Sequence, residues 1–176
     1  MRALVLAGLL AAALAAAADA RIIPGRSIGG VRLGMSETQV RAKLGTPLGV
    51  ERERGRFGAP RVVLHFGYAA YDVVLERGRA VEIATGLRSE RLANGIGPGS
   101  TEWEATRAMK QLACVQPVPR ISPRTGDVIG FHPRTCALRD DGAETVLLVS
   151  PRERFARDGR WRAKETVVLE VRVRMR

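Results

Sequence analysis

The sequence is poor in the residues that build metal centres and in those that build aromatic binding faces. It has 2 Cys and 2 His in 176 residues. That is too few for a zinc ribbon, a haem pair or an iron–sulfur cluster, so no metal and no cofactor are expected. Aromatics make up only 5% of the chain. After the N-terminal stretch no apolar run approaches the roughly 20 residues of a transmembrane helix, so no transmembrane anchor is expected. There is no GxSxG elbow, no CxxC pair and no P-loop lysine. An enzyme is therefore not expected, and the set of catalytic residues is left empty. Acids are outnumbered, 18 Asp+Glu against 29 Lys+Arg, for a net charge of +11. With 45% hydrophobic and 27% charged residues, the chain is neither disordered nor collagen-like, and its length fits one mid-sized core or two small ones.

The first 20 residues read as a signal peptide. Arg2 supplies a positive start, Ala3 to Ala18 is an unbroken run of Ala, Leu, Val and Gly, and Ala18-Asp19-Ala20 offers a small-x-small cleavage pattern. Cleavage there removes one Arg and one Asp, so the charge stays at +11. The run has no Cys for lipid attachment. Export to the periplasm or the medium then makes Cys114 and Cys136 a disulfide rather than a metal site or a catalytic thiol.

The remainder reads as two copies of one unit, 21–90 and 91–176. Gly30 to Leu44 aligns without a gap on Gly95 to Met109 at an offset of 65 residues. Gly34 and Gly99 precede hydroxyl caps, and Val31 and Ile96 are apolar anchors before them. Ser36 with Gln39, and Thr101 with Glu104, have capping-box spacing. Behind the caps, Val40/Leu44 and Ala105/Met109 are apolar i,i+4 pairs. Gly45-Thr46-Pro47 is a helix stop. Each helix is expected to run about three turns and to need a sheet beneath it.

β-branched runs follow each helix: 61–66, 71–76 and 80–84, then 135–139, 144–149 and 166–174. Two segments read as loops, a Pro- and Arg-rich one from Gln116 to Arg124 and a charged one from Pro151 to Arg162. Helix then strands, twice, predicts an α+β fold: two tandem repeats, each with short helices packed on an antiparallel sheet.

The stretch from Ser27 to Ser36, with Gln39-Val40 and Leu44-Gly45-Thr46-Pro47, resembles the recurring motif of the β-lactamase-inhibitor-protein-like fold, which small outer-membrane-assembly lipoproteins share. Asn94 to Thr101, with Cys114 after the helix, is similar to the second repeat of secreted members. The resemblance covers 27–176 and implies tandem repeats with a general binding role. No inhibitory residue carries over, because the chain lacks the aromatic wealth of the inhibitors' sheet face.

Other candidate chemistry has plain explanations. The glycine-rich entry Gly95 to Thr101 superficially resembles a phosphate cradle, but its counterpart at Gly29 to Ser36 argues for a shared turn and cap. His65 and His132 have no Ser and acid within a recognisable triad pattern. Glu51/Glu53, Glu102/Glu104 and Asp140/Asp141 read as a charged turn, a helix first turn and a hairpin turn.

The charge carries the functional expectation. Of the 29 cations, 26 are Arg, whose forks suit carboxylates and phosphates. Arg160-Trp161-Arg162 in the charged loop, and Arg172, Arg174 and Arg176 alternating with Val171 and Val173, form the candidate binding set. Export makes nucleic acid an unexpected partner. The chain is thus expected to be a non-enzymatic module that binds an acidic protein or an anionic envelope polymer. A structural envelope-assembly factor is the alternative, and an uncharacterised hydrolase the second.

Overall fold

The computed structural model describes residues 21–55, 58–68, 70–155 and 161–176, without the side chains of 152–164. The expected signal peptide lies outside the described residues. In chain order the elements are β1 (Ile22–Ile23), β2 (Ser27–Ile28), β3 (Val31–Arg32), α1 (Glu37–Leu44), β4 (Gly49–Arg54), β5 (Pro60–Phe66), β6 (Tyr71–Glu76) and β7 (Arg79–Thr85). There follow α2 (Glu102–Ala108), β8 (Ala113–Cys114), β9 (Pro119–Ile121), β10 (Val128–Phe131), β11 (Arg134–Asp140), β12 (Ala143–Phe155) and β13 (Trp161–Met175).

The α+β expectation is wrong: the chain is mostly β, built on one large antiparallel sheet. Its eight strands run β4-β5-β6-β7-β13-β12-β11-β8. The two expected sheets are fused where β13 lies antiparallel to β7, with Thr85 opposite Val171 and Ile83 opposite Val173. The helices are too small to form a layer. They have 8 and 7 residues, about two turns rather than three, and each buries one side chain within its span, Val40 in α1 and Ala105 in α2. A stripe that narrow cannot cover a sheet face. The core is completed instead by Ile22, Ile28 and Val31 of the small β1-β2-β3 sheet and by Leu92, Ile96 and Met109 from loops, against Leu64, Val73, Ile83, Leu147 and Val171.

The loop assignments need correction too. Glu51 and Glu53 sit in β4, not in a turn. The Gln116–Arg124 segment contains β9, which pairs with β10, and the charged Pro151–Arg162 segment contains the paired ends of β12 and β13.

The two stretches aligned by sequence make the same backbone bonds. Gly34 N donates to Ala80 O and Ala80 N to Met35 O; Gly99 N donates to Val168 O and Val168 N to Ser100 O. The caps that follow bridge to the neighbouring residues, Ser36 to Arg79 and Thr101 to Val167. Gly34 and Gly99 have φ of 84° and 91°, a left-handed turn that glycine makes at no steric cost. Each helix then opens on a reciprocal box. Gln39 N donates to Ser36 Oγ at 3.3 Å and Ser36 N to Gln39 Oε1 at 2.9 Å; Glu104 N donates to Thr101 Oγ1 at 3.1 Å and Thr101 N to Glu104 Oε2 at 2.8 Å. These bonds satisfy amides that a helix start would leave orphaned.

At the far edge, Cys114 and Cys136 face each other in register on β8 and β11 and form a disulfide. The bond ties down a two-residue strand that has little pairing of its own.

Candidate binding surface

Alternation along β13 puts Val171 and Val173 in the core and Arg172 and Arg174 on the opposite face. Those two arginines are not free cations. Arg172 donates to Glu82 at 3.0 Å and also to Glu170, while Arg174 donates to Glu144. Burial works against the Arg172 charge, but Glu170 and then Glu82 outweigh it, so its guanidinium is held more firmly protonated than usual. Glu82 and Glu144 side chains are only 15% and 11% exposed, so the pairs are partly sealed within the sheet rather than offered to a ligand. Arg176, past the strand end, is exposed. Trp161 opens β13 opposite Phe155 rather than sitting in a loop. Its side chain and that of Arg162, with the whole of Arg160, lie outside the described residues.

A second aromatic, which the sequence reading did not single out, occupies a better-defined setting. Trp103 on α2 is 65% exposed, and the Arg107 guanidinium one turn on lies 5.1 Å from its ring centroid. This is a cation–π stack at ordinary helical i,i+4 spacing. Trp103 and Arg107 line a cleft of about 690 Å³ with Arg91, Asn94 and Ser100. The same tryptophan also borders a second cleft of about 620 Å³ with Glu102, Thr106, Arg134, Glu165 and Thr166.

Arg91 is held rigidly by neutral acceptors. Its Nε donates to Arg88 O, and one terminal nitrogen reaches Ser100 Oγ at 2.8 Å and Gly95 O at 3.3 Å. No carboxylate pairs with Arg91 or Arg107 among the described residues, although both line the cleft. The one acid there, Glu104, is committed to the cap. Hydrogen bonds from the Thr101 backbone and then its side chain, with a smaller pull from the Arg91 charge, hold its carboxyl below the usual range. The cleft thus presents anchored positive charge beside an open aromatic face.

The glycine-rich entry beneath this cleft is a turn. Gly95, Ile96, Gly97, Gly99, Ser100 and Thr101 each spend their N–H on an acceptor within the chain, and Pro98 has none. No amide of the entry is left to cradle a phosphate. His65 Nδ1 lies 2.7 Å from Asp72 Oδ1, its cross-strand partner, and Nε2 lies 3.7 Å from Glu51; His132 is exposed. Glu102, paired with Arg134, lies close to the two sulfurs of the disulfide. One buried carboxylate escaped sequence reasoning altogether. Glu90 is fully buried and accepts from Tyr71 Oη at 2.6 Å.

No family model matches the chain, and no curated protein matches it. Among solved structures it is similar to an extracellular protein containing an SCP domain from Bacillus anthracis, with a TM-score of 0.44 and 11% identity, over 81% of this chain and 44% of that one. The chain therefore spans less than half the length of that protein. The disulfide fits a protein of an oxidising, extracytoplasmic compartment. No helix among the described residues is long and apolar enough to cross a membrane.

Proposed function

We propose that the chain is an exported, non-enzymatic binding module for an anionic partner, acting in the periplasm or the medium. One observation carries this reading: the Trp103 cleft holds two arginines that form no ion pair with a carboxylate among the described residues, one of them fixed by three neutral acceptors. A fixed guanidinium with no direct carboxylate bond loses little freedom on meeting a carboxylate, so more of the interaction appears as affinity. The paired arginines of the sheet offer no such surplus. We propose further that the two meanders descend from one unit of the β-lactamase-inhibitor-protein-like kind, supported by the matched bonds of Gly34/Ala80 and Gly99/Val168.

The test is binding of the full chain to soluble acidic polymers, poly-glutamate and polygalacturonate, at low and high salt. Binding at low salt that weakens as salt rises, and that Arg107→Gln diminishes, supports the reading. Absence of binding to either polymer at low salt would overturn it.

A further inference from the structure

The cleft has a chemistry narrower than positive charge. Trp103 stands between two clefts, so a ligand lying across the indole occupies both, which calls for an extended chain rather than a single ion. Arg107 lines the first cleft and not the second, and its guanidinium covers one face of an indole that is 65% exposed. A flat apolar face rimmed by hydrogen-bonding groups stacks well on the C–H face of a sugar ring, because the ring is apolar above and below and polar at its edge.

The rim supplies those groups. Thr166 borders the second cleft and Asn94 the first, and Thr106, whose hydroxyl donates to Glu102 O and Trp103 O, can still accept in the second. Asn94 spends its side-chain oxygen on Ile96 N, which leaves its amide nitrogen as a donor for a hydroxyl. The guanidiniums of Arg91 and Arg107 lie on the first side, where a carboxylate carried by the sugar chain would meet them.

We propose that the Trp103 cleft binds an acidic polysaccharide, with a sugar ring stacked on Trp103 and its carboxylates read by Arg91 and Arg107. This deepens the binding-module reading and depends on it. An acidic peptide matches the arginines equally well, but its flexible carboxylate side chains supply no flat C–H face for the indole.

Calorimetric titration of the full chain separates the two. Three probes are used: polygalacturonate, the same polymer with its carboxylates methyl-esterified, and poly-glutamate. The expected result is binding of polygalacturonate, a loss of about tenfold or more on esterification, and a similar loss in Trp103→Ala and in Arg107→Gln. Both side chains are exposed on α2, so neither change threatens the fold, and Trp103→Phe should restore part of the affinity. If poly-glutamate binds and polygalacturonate does not, the polysaccharide proposal fails while the binding-module reading stands. If polygalacturonate binds Trp103→Ala as tightly as the parent chain, the cleft is not its site and the proposal fails. If neither polymer binds, both fall together.

Discussion

Removing a single hydroxyl at Tyr71 should cost this protein a substantial part of its stability. The carboxylate of Glu90 is fully buried, and its Oε2 has no hydrogen-bond partner among the described residues. Oε1 is held by Tyr71 Oη at 2.6 Å and by Arg21 at 3.4 Å, and the Arg21 side chain is 62% exposed. A buried charge needs its bonds, and here the short one comes from the phenol. Tyr71→Phe keeps the ring that packs against Gly29 and deletes only that donor. A hydrogen bond to a charged group is worth about 1.5–3 kcal/mol, and the group left behind pays for its own desolvation. The expected loss is therefore about 2–3 kcal/mol out of a typical 5–15. Urea denaturation followed by circular dichroism would measure it, with the m-value unchanged if only the native state is affected. The phenol has a second signature. Burial, and then the bond to Glu90, push its pKa up from 10.0 to about 12. The unfolded chain gives up the tyrosine proton first, so stability present below pH 10 should decline as the pH rises toward about 12. In Tyr71→Phe that part of the alkaline decline should vanish. A loss below about 0.5 kcal/mol, or an alkaline limb identical to the parent's, would show that Glu90 is satisfied some other way.

Further expectations concern the turns, caps and bridge. Gly29 and Gly30 both have positive φ, but a Cβ at Gly29 would lie 2.6 Å from the Tyr71 ring while one at Gly30 would meet nothing. Gly30→Ala should thus cost about 1 kcal/mol of backbone strain, and Gly29→Ala clearly more in the same melt. Ser36→Ala and Thr101→Ala should each cost about 1 kcal/mol. Because Glu104 has a lowered pKa, its share of the second cap is present above the ordinary carboxylate range and lost as pH falls through the lowered value. The pH dependence of the Thr101→Ala deficit checks this. Non-reducing peptide mapping should find Cys114 joined to Cys136, and replacing both by Ser should cost about 3 kcal/mol for a loop of this size; free thiols in secreted protein would contradict it.

The strands that sequence reasoning found were those with buried apolar runs, alternating along β5 and the end of β13 and nearly unbroken along β12. In β5, Leu64 and Phe66 are buried and His65 between them is half-exposed; in β13, Val171 and Val173 alternate with arginines. What escaped was strand without that signal. β4 reads Gly-Val-Glu-Arg-Glu-Arg and, as an edge strand, has hardly any buried side chain, so period-two hydrophobicity has nothing to mark. β9 carries three exposed residues and owes its pairing to β10 alone. The caps were legible because they are local chemistry. Fold class was not, because a capping box fixes where a helix starts and says nothing of how much it buries. Trp103 escaped for a related reason: as the second residue of a helix it matches no cap or apolar spacing, and only its exposure and the stack with Arg107 set it apart.

If the Trp103 cleft is the binding site as proposed, arginine frequency along a sequence misplaces the binding charge, and that difference is testable. On the sheet, cross-strand registry brings Glu82 and Glu144 opposite Arg174, and Arg172 reaches Glu82 and Glu170. Glu170 is local to Arg172, but Glu82 and Glu144 lie 90 and 30 residues from the arginines they bond, so no local pattern reveals that the whole stripe is neutralised. On α2, by contrast, the acid beside Arg107 is spent on capping. The two sites should then dissociate experimentally. Arg172→Gln leaves Glu82 and Glu170, only 15% and 24% exposed, without their cation, and should cost about 1–2 kcal/mol of stability while leaving polyanion binding intact. Arg107→Gln should shift stability by no more than about 0.5 kcal/mol and weaken polyanion binding. Urea melts and titrations on the same two variants decide it. A stable Arg172→Gln that fails to bind, beside an Arg107→Gln that binds normally, would return the function to the sheet face.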